Sequence, residues 1–321
     1  MKKILFGLAF IMVLFIFIEI LIRIVFGYFI LNFDIEMVKY IKNISIADLK
    51  TGHRQKPMVS EKIMGADIAI NELGLRSGNV GYNKTDEKRI LALGDSMIFG
   101  WGVQYEKTFI YLLQKKLEQC GKYEIINSGH PNYNMEKYFA FLDSEGLKYK
   151  PDYVVVFYYI NDVEEYKPLK DNPFISWSNA FTFFYTSAKK IYMIKKKKND
   201  SENFYRRLYK EDSVEWIACQ NNMDKIILKC REYTMPVIFV ILPELRNVGS
   251  YQYGYVNKMV KDFLSSRNVV CFDLLDSVKN QDSKKLWVGN GDIHPNEFCS
   301  KLYADALYEF MLKYLNENHA N

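Results

Sequence analysis

One stretch, Arg89-Ile-Leu-Ala-Leu-Gly-Asp-Ser-Met-Ile-Phe-Gly-Trp-Gly-Val103, constrains this chain more than any other. A run of buried-strand type, Ile90 to Leu93, stops at a glycine, exposes an Asp-Ser pair, and restarts in glycine-punctuated sequence leading into a helix. A serine so placed sits at the C-terminal end of a strand. In an open α/β sheet that is where ligands bind, and the amides that open the following helix stabilise negative charge. Ser96 is therefore a candidate nucleophile, although Gly-Asp-Ser by itself is also an ordinary turn.

The sequence around this stretch alternates between strand and helix patterns. Strands are expected at about 89–94, 123–127, 152–159, 236–242 and 268–274, with helices at about 105–120, 134–147, 212–232, 254–266 and 296–316. Alternation of this kind predicts an α/β fold: a doubly wound, mainly parallel five-stranded sheet with helices on both faces. With 321 residues, 49% hydrophobic and 25% charged, the chain is long enough for one such domain plus extras.

The first extra is at the N-terminus. Met1-Lys-Lys precedes an apolar run from Ile4 that continues past Glu19 and Arg23 to about Leu31, long enough to cross a bilayer. Residues 1–31 are read as an uncleaved transmembrane anchor. A cleaved signal peptide is the rival reading, but the stretch is long and no Ala-x-Ala site follows it. Glu19 and Arg23, four residues apart, are placed to pair on one helix face. Lys2 and Lys3 put the N-terminus in the cytoplasm and the rest of the chain outside, against which Lys39 and Lys42 count. Residues 32–66 are expected to form a helical or irregular stalk, and 67–321 the main domain.

The second extra interrupts the alternation at about 167–210. It carries Phe174, Trp177, Phe181, Phe183, Phe184 and Tyr185 ahead of Lys189, Lys190 and Lys195 to Lys198. It is expected to be an inserted cap, either an amphipathic element on an anionic bilayer or a helix with a solvated lysine run. The net charge of +5 is concentrated in those lysines, and no zinc-finger or RNA-binding pattern accompanies it, so nucleic acid is not implied. Five widely spaced cysteines and four histidines show no metal-ligand spacing, so no metal is expected.

A serine hydroxyl needs an adjacent base to become nucleophilic, and a third group to fix the tautomer of that base. His294, in Gly291-Asp-Ile-His-Pro-Asn296, is the best candidate. It lies on a loop before a helix whose first turn suits Pro295, whereas His53 falls in the expected stalk and His319 in the tail.

Together with Gly-Asp-Ser, the segments Ile126-Asn-Ser-Gly-His-Pro-Asn-Tyr-Asn134, Phe157-Tyr-Tyr-Ile-Asn-Asp-Val163 and Gly291-Asp-Ile-His-Pro-Asn296 resemble, in order and spacing, the SGNH (GDSL-type) hydrolase family. The resemblance covers about residues 68 to 316, and Asn71-Glu-Leu-Gly-Leu-Arg76 is similar to the lead-in of membrane-anchored bacterial members. It implies Ser96 as nucleophile, His294 as base and Asp292 as the carboxylate orienting it. The family more often has that acid three residues before the histidine; here Gly291 stands there, leaving a Ser96–His294 dyad as the alternative.

The resemblance also implies an oxyanion hole made by the Ser96 amide, the Asn161 side chain and a loop amide. The loop position is a glycine in the family and falls here at Asn132, with Gly129 as a second choice. Asn161 is otherwise a turn or helix-cap residue. Asp95, Gly129, His130 and Tyr159 are candidate substrate contacts, Tyr159 replacing a family glycine. The implied activity is that of a serine esterase acting on O-acyl groups of surface glycans or related esters, without a cofactor. The alternatives are an O-acetyltransferase of polysaccharide and a catalytically silent glycan-binding or assembly subunit. The expected partners are the bilayer and an acylated glycan or small ester; nothing in the sequence sets an oligomeric state.

Overall fold

The computed structural model describes residues 2–26, 32–169, 172–196, 201–289 and 291–319. Helix α1 (Lys2–Ile24) is followed by α2 (Phe33–Asn43) and two antiparallel hairpins, β1 (Ser45–Asp48) with β2 (Gly52–Gln55) and β3 (Ser60–Ile63) with β4 (Ala66–Ala69). The main alternation runs β5 (Lys88–Leu93), α3 (Ser96–Phe99), α4 (Phe109–Leu117), β6 (Tyr123–Asn127), α5 (Met135–Ser144) and β7 (Tyr153–Tyr158). After α6 (Pro173–Ser176), α7 (Asn179–Lys196) and α8 (Ser201–Leu208), it resumes with α9 (Val214–Glu232), β8 (Val237–Ile241), α10 (Gly254–Ser265) and β9 (Val270–Asp273). The chain closes with α11 (Leu275–Val278), the hairpin β10 (Trp287–Gly289) and β11 (Asp292–Pro295), and α12 (Glu297–His319).

The five central strands pair in parallel in the order β6-β5-β7-β8-β9. This is the doubly wound sheet expected from the alternation. Every residue of β7 is buried, which is why Val154, Val155, Val156 and Phe157 form a continuous apolar run without alternation. Helix α4 packs on α12 and α5 on α9, so the sheet is covered by paired helices. The order reverses between β5 and β7. Their C-terminal ends flank the crevice where an open α/β sheet binds ligands, and Ser96 and Asn161 follow those two ends.

The segment expected to be a stalk is instead folded onto the domain. Asn32 caps α2 by accepting from the amides of Asp34 and Ile35, and Tyr40, Ile44, Ile63, Met64, Ile68 and Ile70 form an apolar cluster with Phe99 and Trp101. Alternation of buried and exposed residues in four-residue strands was too short to register in the sequence, yet each hairpin buries one face. Gln55 reaches into the main domain, its Nε2 donating to the Gly129 carbonyl at 2.9 Å. Arg76 ties the two parts together. Its buried guanidinium donates to the carbonyls of Phe99 (2.9 Å), Gly100 (2.6 Å) and Val103 (2.6 Å), and burial lowers its pKa to about 10 against the charges of Tyr105 and Glu106.

Candidate active site

Ser96 is the first residue of α3. The turn before it is set by Asp95, which leaves the strand in a non-helical conformation and caps the helix, its carboxylate accepting from the Met97 amide at 2.8 Å. The Ser96 amide thereby becomes one of the unpaired donors at a helix start. Asp95 is fully buried. Burial raises its carboxyl pKa, against the Met97 amide, the charge of His294 and a hydrogen bond from Asn161. Asp95, expected as a substrate contact, is the buried cap of α3.

His294 and Asp292 stand on β11, two residues apart in an extended strand, so their side chains leave the same face. The Ser96 hydroxyl lies 2.8 Å from His294 Nε2, and His294 Nδ1 donates to Asp292 Oδ1 at 2.5 Å. The same Oδ1 accepts the His294 amide at 3.1 Å, and Oδ2 accepts the indole N–H of Trp101 at 3.1 Å. Burial works to raise the Asp292 carboxyl, but the charge of His294 and these donors outweigh it and hold the pKa below the usual carboxylate value. The hydrogen-bond chain Ser96–His294–Asp292 is thus assembled. Pro295 ends the strand, and Asn296 caps the next helix by accepting from the Cys299 amide.

Two aromatic rings wall the imidazole. Phe33 of α2 stacks on His294 at 6.1 Å between ring centroids and 18° between planes, and Trp101 lies 6.0 Å away. Trp101 in turn is held by Phe33 and Tyr40. Neither Phe33 nor the bond from Trp101 to Asp292 was visible in the sequence. The only signal was the Gly-Trp-Gly context, which marks a ring in a tight loop without naming a partner 191 residues away.

The remaining site residues divide. Asn161 follows β7, with its side chain directed at Asp95 and its buried Oδ1 unpartnered. Asn132 has φ +71°, the left-handed conformation that asparagine tolerates best after glycine, and its side chain is tied to the Lys167 carbonyl at 2.8 Å. Gly129 does not offer its amide, which donates to Asn127 Oδ1 at 3.0 Å. It is glycine because a Cβ there would lie 2.4 Å from the Phe99 nitrogen; the loop after β6 is pressed against α3.

His130 and Tyr159, expected as substrate contacts, are both buried. His130 is completely buried, stacked on Tyr133 at 4.5 Å, with Nδ1 2.9 Å from the Ser128 carbonyl. Its neighbour His53 is equally buried, and burial lowers the two pKa values to about 3 and about 4. Tyr159 is packed into the main core, and its amide donates to Asp162 Oδ2 at 2.9 Å. Asp162 also accepts the Tyr138 hydroxyl at 2.7 Å; burial, then the charge of Asp95, pushes its carboxyl pKa well up. A cleft of about 570 Å³ lined by Asn79, Tyr105, Lys115 and Lys122 lies beyond the N-terminal end of β6 and contributes nothing to this site. Among the described residues no cluster of histidine, cysteine and carboxylate groups is arranged for a metal ion.

The family model of the GDSL-like lipases and acylhydrolases matches residues 92–298, well over half of the chain. The chain belongs to the GDSL-like lipase/acylhydrolase family. Solved structures similar to it include a G-D-S-L family lipolytic protein from Desulfitobacterium hafniense DCB-2, at 15% identity over 70% of this chain and 99% of that one, with a TM-score of 0.46. Another is the psychrotrophic esterase EstA from Pseudoalteromonas sp., at 17% identity over 72% and 100%, with a TM-score of 0.45. A third is a G-D-S-L family lipolytic protein from Veillonella parvula DSM 2008, at 14% identity over 69% and 97%, with a TM-score of 0.44. No curated protein matches the chain. Family membership makes the chain an ester-hydrolysing enzyme of the GDSL/SGNH type.

Proposed function

We propose that the chain is a membrane-anchored serine esterase that removes O-acetyl groups from a surface glycan outside the cytoplasm. The observation that carries the chemistry is the hydrogen-bond chain Ser96–His294–Asp292 at the sheet's switch point. In this reading Ser96 Oγ attacks the ester carbonyl and its proton passes to His294 Nε2. The oxyanion of the tetrahedral intermediate is met by the Ser96 amide, the Asn132 amide and the Asn161 side chain. Collapse breaks the C–O bond to the alcohol, which leaves with the proton from His294. Water, or a sugar hydroxyl in the transferase version, then loses its proton to His294 as it attacks the acyl-enzyme, and Ser96 recovers its proton.

The placement relative to the membrane rests on α1, whose 23 residues include an 18-residue stretch with a mean hydropathy of 2.9 and are long and apolar enough to cross a bilayer, with Lys2 and Lys3 at its start. Two experiments test the reading. Acetylated polysaccharide incubated with the full-length protein is expected to release free acetate in water, whereas acetyl moving to an added glycan with no net acetate would replace hydrolysis by transfer. Alkaline phosphatase fused after the last residue is expected to be active; an inactive fusion would reverse the topology.

A further inference from the structure

Helix α7 belongs to the insertion and makes no part of the site, yet it is bolted to α1. The Glu19 carboxylate of α1 accepts the Ser178 hydroxyl at 2.7 Å and the amides of Asn179 and Ala180 at 3.1 and 2.9 Å, and it pairs with Arg23 at 2.6 Å. A charged residue in an apolar span is expensive unless paired, and here its partner is the start of a second helix. Phe15 stacks on Trp177 at 5.6 Å and Phe26 against Phe183 at 4.9 Å, while Ile22, Ile35 and Ala180 form a small core joining α1, α2 and α7.

The outer side of α7 is apolar and open. Phe181, Phe184, Tyr185 and Ile191, with Trp177 ahead of them, are between 45% and 61% exposed, whereas Ala180 and Thr182 face inward and are buried. The depth at which α7 starts follows from Glu19. Glu19 lies five residues before the end of α1, about 7.5 Å along the axis. Interfacial helices sit about 5–10 Å into the boundary between headgroups and acyl chains. The aromatic residues are of the kind found at that boundary, and the exposed Lys189 follows them at headgroup level.

We propose that the Trp177–Ile191 face of α7 is a second membrane contact beside α1, at the outer boundary of the bilayer. With two contacts, the domain cannot swing about a single span. Ile35 packs on Ile22 of the span, and Phe33, two residues earlier on α2, stacks on His294. The Ser96 site is therefore held within about 20 Å of the end of α1, by helix rise and chain reach. The inference rests on α1 crossing the membrane, and the test separates the two.

The full-length protein, with the exposed Cys120 replaced by serine, is labelled with bimane at Phe184→Cys or at Phe10→Cys and reconstituted in phosphatidylcholine vesicles containing phosphatidylglycerol. At Phe184→Cys the expected result is quenching by a lipid carrying a nitroxide near the headgroup, and little quenching by aqueous iodide. Glu19→Ala is expected to raise iodide quenching at that position about twofold or more as α7 loosens from α1. Iodide quenching at Phe184→Cys together with lipid protection at Phe10→Cys would overturn the proposal and leave the anchor standing. Protection from both quenchers would also overturn it, pointing to a protein on this face. Iodide quenching at both positions would remove the anchor and the proposal together.

Discussion

Replacing Asp292 with asparagine probes the least conventional feature of the site. Three donors surround the carboxylate: the His294 imidazole Nδ1–H at 2.5 Å, the His294 amide at 3.1 Å and the Trp101 indole at 3.1 Å. An asparagine has one acceptor oxygen for these three. If the oxygen faces His294, the amide NH2 is set against the Trp101 indole N–H. If it turns, the NH2 faces Nδ1, selects the tautomer with the proton on Nε2, and leaves the nitrogen facing Ser96 unable to accept. Either way the imidazolium formed in the transition state loses a full negative charge, worth about 4 kcal/mol at an effective dielectric constant of about 20 and a separation of about 4 Å. The expected fall in kcat is about a thousandfold. The assay is initial-rate hydrolysis of p-nitrophenyl acetate by the full-length protein in detergent, with thermal melting as the check on folding. A fall of less than about tenfold in a folded variant would refute the argument and leave a Ser96–His294 dyad.

Other outcomes follow from the same geometry. Asn161→Ala is expected to cost about a hundredfold in kcat with little change in KM if the side chain meets the oxyanion; an unchanged kcat with a lowered melting temperature would make it a structural residue. Trp101→Phe keeps most of the packing but removes one donor to Asp292, and a loss of about 1 kcal/mol, or several-fold in kcat, is expected from rate measurements. His130 and His53 are held neutral by burial, so the unfolded chain binds more protons than the folded one below about pH 6.5 and stability is lost as the pH falls. Each histidine contributes about 1.4 kcal/mol per pH unit until its folded pKa, about 3 for His130 and about 4 for His53, is reached. Denaturant titrations at pH 7.5 and 5.5 should show His130→Phe losing about 1.4 kcal/mol less than the wild type; equal losses would contradict the assignment.

The sheet was legible because parallel strands are buried on both faces. Val154–Phe157 and Ile238–Ile241 are apolar runs that a helix cannot mimic when turns bound them so closely. Ser96, His294 and Asp292 were legible for a different reason: motif order located them, and strand geometry explains the unusual spacing, since residues two apart on β11 share a face. The segment 33–69 was not legible. Its strands are four residues long, and Tyr40 and Ile68 acquire their meaning only through contact with Phe99 and Trp101, distant in sequence. A histidine in a motif loop such as His130 reads as a substrate contact, while its burial depends on Tyr133 and His53 closing over it. The role of Glu19 was half visible. Its pairing with Arg23 followed from helical spacing, but the capped helix begins 160 residues later.

The central claim is that Ser96 is an activated nucleophile, and covalent labelling tests it most directly. A fluorophosphonate probe is attacked by an activated serine and stays bound, whereas an ordinary turn serine is inert. The account predicts stoichiometric labelling of the wild-type full-length protein, mapping by mass spectrometry to the peptide containing Ser96, with none in Ser96→Ala and labelling slowed by orders of magnitude in His294→Ala. A folded wild type that resists the probe, or labelling that persists in Ser96→Ala, would contradict it.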